Sequence, residues 1–381
     1  MKKILIRYAE IGLKGGNLNY FENKLIKNIK LSLGKDVSLE KLRKQFVITL
    51  PESKLDQSLK SLKKIFGIAW FAQIHQANSI IKDISKLAIE IIGRPKSFAI
   101  RASRSDKRLP FTSQDIAIKV GSDLKLATKA EVDLKNPTAT LYISAGKDKT
   151  FLYTDKIEGS GGLPVGTSGK VLSLLSGGYD SIASSYLLAK RGADVDYLHF
   201  HVFGDHQKVL DSKISSITTK LSDFTLSKTL HLASYTPFQM NVLDLTKSTQ
   251  PHELILFRRL MARVGEALAS NLGYQALVFG DSLGQVASQT LENIVAVDQA
   301  VDIPIFRPLI GMDKKSIIKL VKEIELEQVT NLFYQDCCSL VSKTPAIKAN
   351  LEKIVALEEK INIKEITNEI TQQIKTINLK I

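Results

Sequence analysis

Apolar and polar positions change their period several times along the chain, and each change marks an element. Residues 2–8 alternate as a half-buried strand does, and a loop with glycines, Gly12-Leu13-Lys14-Gly15-Gly16, follows. Phe21, Leu25, Ile26, Ile29 and Leu33 then share one face of a helix over 18–33, with Lys24, Lys27 and Lys30 largely off it. A strand over 45–50, a break at Pro51 and a helix over 53–65 complete a small α/β unit. Alternation at 69–75, 97–101, 140–145 and 150–154 predicts strands, and helical spacing at 79–92 and 113–127 predicts helices. A second small α+β unit therefore extends to about residue 156.

Residues 159–169 hold five glycines and one proline and read as a connector. Beyond it the character changes. Continuous apolar strands at 171–175, 194–200, 228–232 and 276–280 alternate with helices near 181–191, 207–222 and 252–271. That is the pattern of a doubly wound parallel sheet, so the fold class is α/β, with two small α+β domains ahead of the sheet. From about 346 the chain is rich in Lys, Glu and Ile and reads as a helical tail. The expected division is 1–57, 58–157, a linker at 158–169, 170–348, and a tail at 349–381.

At 381 residues with 44% apolar side chains, the chain is long enough for two or three domains with their own cores. No run approaches the eighteen apolar residues of a membrane span, and the start lacks a cleavage site, so a cytoplasmic location is expected. The two cysteines, Cys337 and Cys338, are adjacent, which excludes a disulfide framework or a four-ligand zinc site by count. Charge is divided unevenly. Residues 1–150 carry 29 Lys and Arg against 14 Asp and Glu, a net of +15, while the remainder sums to −1. A polyanion would feel the first part of the chain almost alone. The densest basic stretch, Arg101 to Arg108, reads either as a solvated loop or as a contact for RNA phosphates, with Arg101, Arg104, Lys107 and Arg108 the candidates and Lys14 a further one.

The strand at 171–175 runs into Ser176-Gly177-Gly178-Tyr179-Asp180-Ser181 and then a helix. Two glycines let the backbone turn sharply with N–H groups outward, and the helix adds its positive end, which together form a pyrophosphate cradle. Both serine hydroxyls can add donors. There is no Walker lysine and no GxGxxG, so the loop is neither a kinase-type P-loop nor a dinucleotide fingerprint. Asp180 can cap the helix or, beside ATP phosphates, hold Mg2+; the metal role is the one expected.

From this loop outward the sequence resembles the PP-loop ATP pyrophosphatases and, more closely, the tRNA 4-thiouridine synthetases, or tRNA sulfurtransferases. The resemblance spans about residues 1–348. Arg7-Tyr8-Ala9-Glu10-Ile11-Gly12-Leu13-Lys14-Gly15 looks like that family's N-terminal ferredoxin-like domain, and Phe66-Gly67-Ile68 with the 97–120 segment looks like its THUMP domain. Gly161-Gly162-Leu163-Pro164-Val165-Gly166, the SGGYDS loop, Gly280 to Thr290, and Arg307-Pro308-Leu309-Ile310 follow in the family's order.

The resemblance implies that Leu174, Leu175, Ser176, Gly177, Gly178, Tyr179, Ser181, His199, Phe200, Arg258, Gly280 and Gln289 bind ATP. It also implies that Lys314 acts in the active site beside Asp180. Without it, the two leucines and the His-Phe pair are plain sheet core, Arg258 is a surface arginine and Lys314 a solvated first-turn lysine. Cys338, by its distance to Pro345, matches the family's sulfur-handling cysteine, with Cys337 a secondary candidate; a cysteine without such context is more often a small buried hydrophobe. The implied reaction adenylates the C4 carbonyl of a tRNA uridine with ATP and Mg2+, then replaces oxygen with sulfur from a persulfide on Cys338 loaded by a cysteine desulfurase. Longer relatives carry a rhodanese domain with a further cysteine and support thiamine thiazole synthesis. Lacking that domain, this chain would resolve the persulfide through Cys337 or external thiols, and a homodimer is compatible with the family. The competing readings are a tRNA 2-thiolase, a ligase adenylating a small carboxylate, and a noncatalytic RNA- and ATP-binding protein.

Overall fold

The computed structural model describes residues 1–34, 36–106, 108–243, 249–335, 337 and 345–379. The chain divides into two units, 1–162 and 163–381. Among the described residues, no helix is long and apolar enough to cross a membrane.

The first unit is built on strands β1 (Lys2–Tyr8), β2 (Ser38–Leu42), β3 (Gln45–Leu50), β4 (Ile68–Asn78), β5 (Ser97–Arg104), β6 (Glu131–Val132), β7 (Ala139–Ala145), β8 (Lys149–Tyr153) and β9 (Ile157–Glu158), in the order β2-β3-β1-β4-β8-β7-β5-β6 with β9 also on β4. Eleven-residue β4 serves both halves: Ile68 to Ile74 pair with β1, and His75 to Asn78 pair with β8. One helical layer, Leu18–Leu33 and Leu55–Lys64, closes a core of Ile4, Ile6, Leu25, Ile29, Phe46 and Ile48. Leu62, Ile65, Ile68 and Phe71 sit in that same core. The expected seam at 57/58 falls inside the helix Leu55–Lys64, which packs on the helix Leu18–Leu33 and on β4 and puts Leu62 into the same core as Ile4 and Ile48. A second core, with Ile84, Phe98, Ile116, Val120 and Leu141, lies under the helices Ile81–Ile92 and Ser113–Thr128. The latter helix starts at a capping box in which Thr112 and Asp115 satisfy each other's backbone N–H.

The glycine-rich connector is stitched to its neighbours. Gly159 and Gly161 donate to the backbone of Ala69 and Ile68, whereas Leu163, Thr167 and Ser168 donate to Lys190 and Gly192. The division between units falls between Gly162 and Leu163.

The second unit carries β10 (Lys170–Leu174), β11 (Asp194–His201), β12 (Thr229–Ser234), β13 (Ala276–Val278), β14 (Ile305–Phe306) and β15 (Lys375–Asn378), ordered β14-β13-β10-β11-β12-β15. All pairs are parallel except β15 on β12. The chain steps from β10 to β11 and β12 on one side and returns to β13 and β14 on the other. The switch in direction opens a crevice beyond the carboxyl ends of β10 and β13, where ligands of such sheets bind.

The tail does not stand apart. Its two helices, Leu351–Lys360 and Ile363–Gln372, put Ile354, Ile366 and Ile370 into the core around the helix Glu253–Leu272, and the chain then adds β15 to the sheet edge. Glu358, almost fully buried, accepts from Arg259 at 2.7 and 2.8 Å and from Arg263 at 3.0 Å. The separate helical tail expected at 349–381 is thus part of the sheet domain, because its isoleucines are buried and its last strand satisfies the β12 edge.

Candidate active site

At the end of β10 the chain turns through Ser176-Gly177-Gly178 into the helix Tyr179–Lys190. Gly177 has φ +80°, and a Cβ there would lie 2.6 Å from Ile214 Cδ1, so the turn requires glycine twice over. The two serine hydroxyls close the loop on itself. Ser181 Oγ accepts from Ser176 N at 3.2 Å and donates to Gly178 O at 3.0 Å, and Ser176 Oγ accepts from Gly178 N at 3.3 Å. The hydroxyls expected as extra phosphate donors thus also shape the loop.

A cleft of about 310 Å³ opens here, lined by Ser176, Asp180, Arg258, Gly280, Asp281 and Gln289, with Pro345 at its edge. Beside it lies a smaller apolar recess of about 70 Å³, formed by Leu174, Leu175, His199, Phe200, Phe257 and Cys337. Leu174, Ser176 and Met261 border both. Gly280 packs against the start of the loop helix: a Cβ on it would meet Asp180 C at 2.8 Å and Ser181 N at 3.0 Å. Of the candidate nucleotide residues, Leu174, Ser176, Ser181, Arg258, Gly280 and Gln289 line the cleft and Leu174, Leu175, Ser176, His199 and Phe200 the recess, whereas Gly177, Gly178 and Tyr179 line neither.

Asp180 and Lys314, 134 residues apart, meet: Lys314 Nζ donates to both carboxylate oxygens at 2.9 and 2.8 Å, and Gln285 Nε2 donates to Oδ2 at 3.0 Å. Asp180 does not cap its helix, which begins at Gly178 without a side-chain bond. Lys314 opens the helix Lys314–Glu323, whose N-cap is Asp313. Arg258 Nε and Gln289 Oε1 in this cleft, and Gln285 Oε1 on the side chain that bonds Asp180, are buried polar atoms with no partner among the described residues. Buried polar groups are rarely left unpaired, so these three atoms are candidates for contact with a ligand.

His199 is buried, with Nδ1 2.6 Å from Leu175 O and Nε2 2.7 Å from Tyr334 Oη. Leu175 O only accepts, so Nδ1 carries the proton and Nε2 accepts from the tyrosine. Burial lowers its pKa to about 4, keeping the ring neutral. Tyr179 Oη donates to Asn331 Oδ1 at 2.9 Å, so the loop and β11 together fix the chain that leads toward the cysteines. Cys337 is a buried thiol in the recess. Cys338, and with it the expected sulfur-handling thiol, lies outside the described residues, as does Lys107.

Four contributors carried no role in the sequence reading: Asp281, Gln285, Arg307 and Tyr334. Asp281, itself buried, is gripped by Arg258 at 2.7 and 2.8 Å and by Arg307 at 2.9 Å. Burial works to raise its pKa, but the two guanidiniums outweigh this and hold the carboxyl below its ordinary value. Arg258 is accordingly not a surface residue. Both Asp281 and Arg307 stand in quoted motifs, yet sequence gives no sign that they touch.

In the first unit, Arg101 and Arg104 lie on β5 and Arg108 in the loop after it. Their guanidiniums donate to Leu134 O at 2.7 Å, to Phe111 O at 3.2 Å and to Asp106, respectively. Lys14 Nζ sits 5.1 Å from the Phe21 ring centre. A further cleft of about 290 Å³ in this unit is lined by Arg43, Lys147 and Lys149 together with Gln45, whose buried Oε1 is unpartnered among the described residues.

Comparison with known proteins identifies the family. The sequence model described as "Thiamine biosynthesis protein (ThiI)" matches residues 166–363, that of the "ThiI ferredoxin-like domain" residues 3–72, and that of the "THUMP domain" residues 75–155. The chain is 35% identical over 377 residues to the "Probable tRNA sulfurtransferase" of Caldanaerobacter subterraneus, covering 97% of this chain and 98% of the relative. It is also 35% identical over 394 residues to the protein of the same name from Coxiella burnetii, covering 100% of both. A crystal structure of a 4-thiouridine synthetase–RNA complex with bound ATP superposes with a TM-score of 0.90 at 30% identity, covering 100% of both chains. PH1313 from Pyrococcus horikoshii, at 21% identity, shares the fold with a TM-score of 0.65 over 86% of this chain and 100% of that one. With its nucleotide cleft, its sheet and both N-terminal modules matched, this chain belongs to the thiamine biosynthesis protein (ThiI) family, whose curated relatives are named tRNA sulfurtransferases.

Proposed function

We propose that this protein is an ATP-dependent tRNA sulfurtransferase that converts a uridine to 4-thiouridine. The observation that carries the reading is the cleft itself: a glycine loop at a sheet switch point, an Asp180–Lys314 pair, and buried polar atoms of Arg258 and Gln289 with no partner among the described residues. The close structural relative holds ATP and RNA, and the basic first unit supplies charge for a polyanion.

In this reading the triphosphate lies along the first turn of the helix Tyr179–Lys190, and the adenine enters the recess between Leu174, Leu175 and Phe200. The C4 oxygen of the uridine attacks the α-phosphorus, the bond to the β-phosphate breaks, and pyrophosphate leaves. Lys314 offsets the charge that collects on the departing phosphates. Sulfur from a persulfide then attacks C4, and AMP departs with the former carbonyl oxygen. A second thiol attacks the resulting mixed disulfide to free the thiocarbonyl, leaving a disulfide that external thiols reduce. Cys338 is proposed as the persulfide carrier and a cysteine desulfurase as its source.

A phosphate-bound Mg2+ needs only one or two protein oxygens, and Asp180 with the unpartnered Gln285 Oε1 fits that requirement. Such an ion would neutralise phosphate charge. The domain seam is proposed along β4, with a ferredoxin-like part before it and a THUMP part after. Arg101, Arg104 and Lys14, with the Arg43–Lys147–Lys149 cleft, are proposed to contact RNA phosphates.

Pyrophosphate release measured with and without tRNA tests the acceptor. Release that requires tRNA is the expected result; equal release without tRNA would favour a small-molecule acceptor instead.

A further inference from the structure

Arg258, Asp281, Arg307 and Asp298 form a chain of alternating charge that leads from the cleft to the surface. Asp281, 2% exposed, accepts from Arg258 Nη2 on both oxygens and from Arg307 Nε. Arg307 is fixed from its other side by Asp298 at 3.2 and 2.5 Å. Both guanidiniums also lie against the Phe279 ring, 5.5 and 5.8 Å from its centre.

If the cleft needed only positive charge, this arrangement would work against it. Asp281 lines the same cleft as Arg258 and places a carboxylate beside the position a triphosphate would take. Buried ion-pair networks contribute little net stability compared with apolar packing of equal volume. What an apolar replacement cannot do is hold a guanidinium at a fixed angle. With Nη2 engaged by Asp281, the buried Nε of Arg258 is left without a partner at the cleft.

We infer that Asp281 is a positioning residue for the nucleotide: braced by Arg307 and Asp298, it fixes the direction in which Arg258 presents its remaining N–H groups to the phosphates. The inference deepens the ATP-site reading and rests on it.

The sign of one substitution decides the matter. Asp281→Asn keeps the shape of the side chain and removes a negative charge. Acting through charge alone, it would release two arginines and tighten ATP binding. Acting through orientation, it weakens binding by about tenfold or more, the scale of one lost charge-assisted hydrogen bond.

Calorimetric ATP titration of the full chain, with a melting curve for each variant, reads both effects. Asp298→Asn, at the exposed end of the chain, loosens Arg307 without touching the cleft and is predicted to weaken ATP in the same direction by a few-fold. Should Asp281→Asn fail to fold, this second variant decides. ATP affinity equal to or above wild type in the folded variants overturns the inference. Absence of ATP binding by the wild-type protein would instead overturn the site reading beneath it.

Discussion

Gly280 illustrates how tightly a single residue is constrained at this cleft, because it lies against the backbone of Asp180 and Ser181. Its missing side chain is what allows the loop after β13 to approach the Asp180 backbone. Backbone cannot swing aside as a flexible side chain can, so Gly280→Ala is predicted to cost about 1–3 kcal/mol and to weaken ATP binding. Thermal unfolding with and without ATP checks this: a wild-type shift on adding ATP would contradict it. His199 yields a prediction in pH. The unfolded chain takes up a proton near 6.5, whereas the buried ring resists protonation down to about 4. Stability is therefore complete above pH 6.5 and falls as pH drops toward 4, by up to roughly 3 kcal/mol from this residue. His201, also buried and lowered to about 4, adds in the same direction. Urea unfolding at pH 7 and pH 5 should show the loss, and His199→Gln should reduce it. At this scale, residues within one local motif, such as Ser176 to Ser181, were legible from sequence because strand, glycines and helix are contiguous. Asp281, Arg307 and Tyr334 were not, since their roles arise from partners 23, 26 and 135 positions away.

Elements with a clear apolar period were equally legible. The helix over 18–33 and the buried strands β10 and β11 follow directly from spacing, because burial on one face or on both imposes the pattern. β15 escaped notice: an edge strand with three of four residues exposed carries no such signature, and only the open edge of β12 gives it a reason to form. The same is true of two-residue β14. The tail helices were visible as helices, but their docking was not. Glu358 adds to the docking made by the buried isoleucines and β15, and removal of a partner from a buried ion pair leaves two arginines uncompensated. Glu358→Ala is thus predicted to destabilise the second unit by about 3–5 kcal/mol. Chemical denaturation would reveal it, and a change under 1 kcal/mol would show that the tail is held by its isoleucines alone.

For the whole molecule, the division of charge is the property that reaches beyond any one site. A net of +15 over residues 1–150 and −1 over the rest is the ground for proposing that the polyanion meets the first unit. Binding of tRNA should therefore fall steeply with salt, with log K linear in log salt concentration. Neutralising Arg101 and Arg104 should flatten that slope, and an unchanged slope would place the RNA elsewhere. The central claim is that ATP drives replacement of a uridine oxygen by sulfur. Its most direct test is mass spectrometry of nucleosides from a defined tRNA incubated with the protein, Mg2+, cysteine and a cysteine desulfurase, with ATP present or omitted. The account predicts 4-thiouridine only when ATP is present; none with every component supplied, or the same amount without ATP, would contradict it.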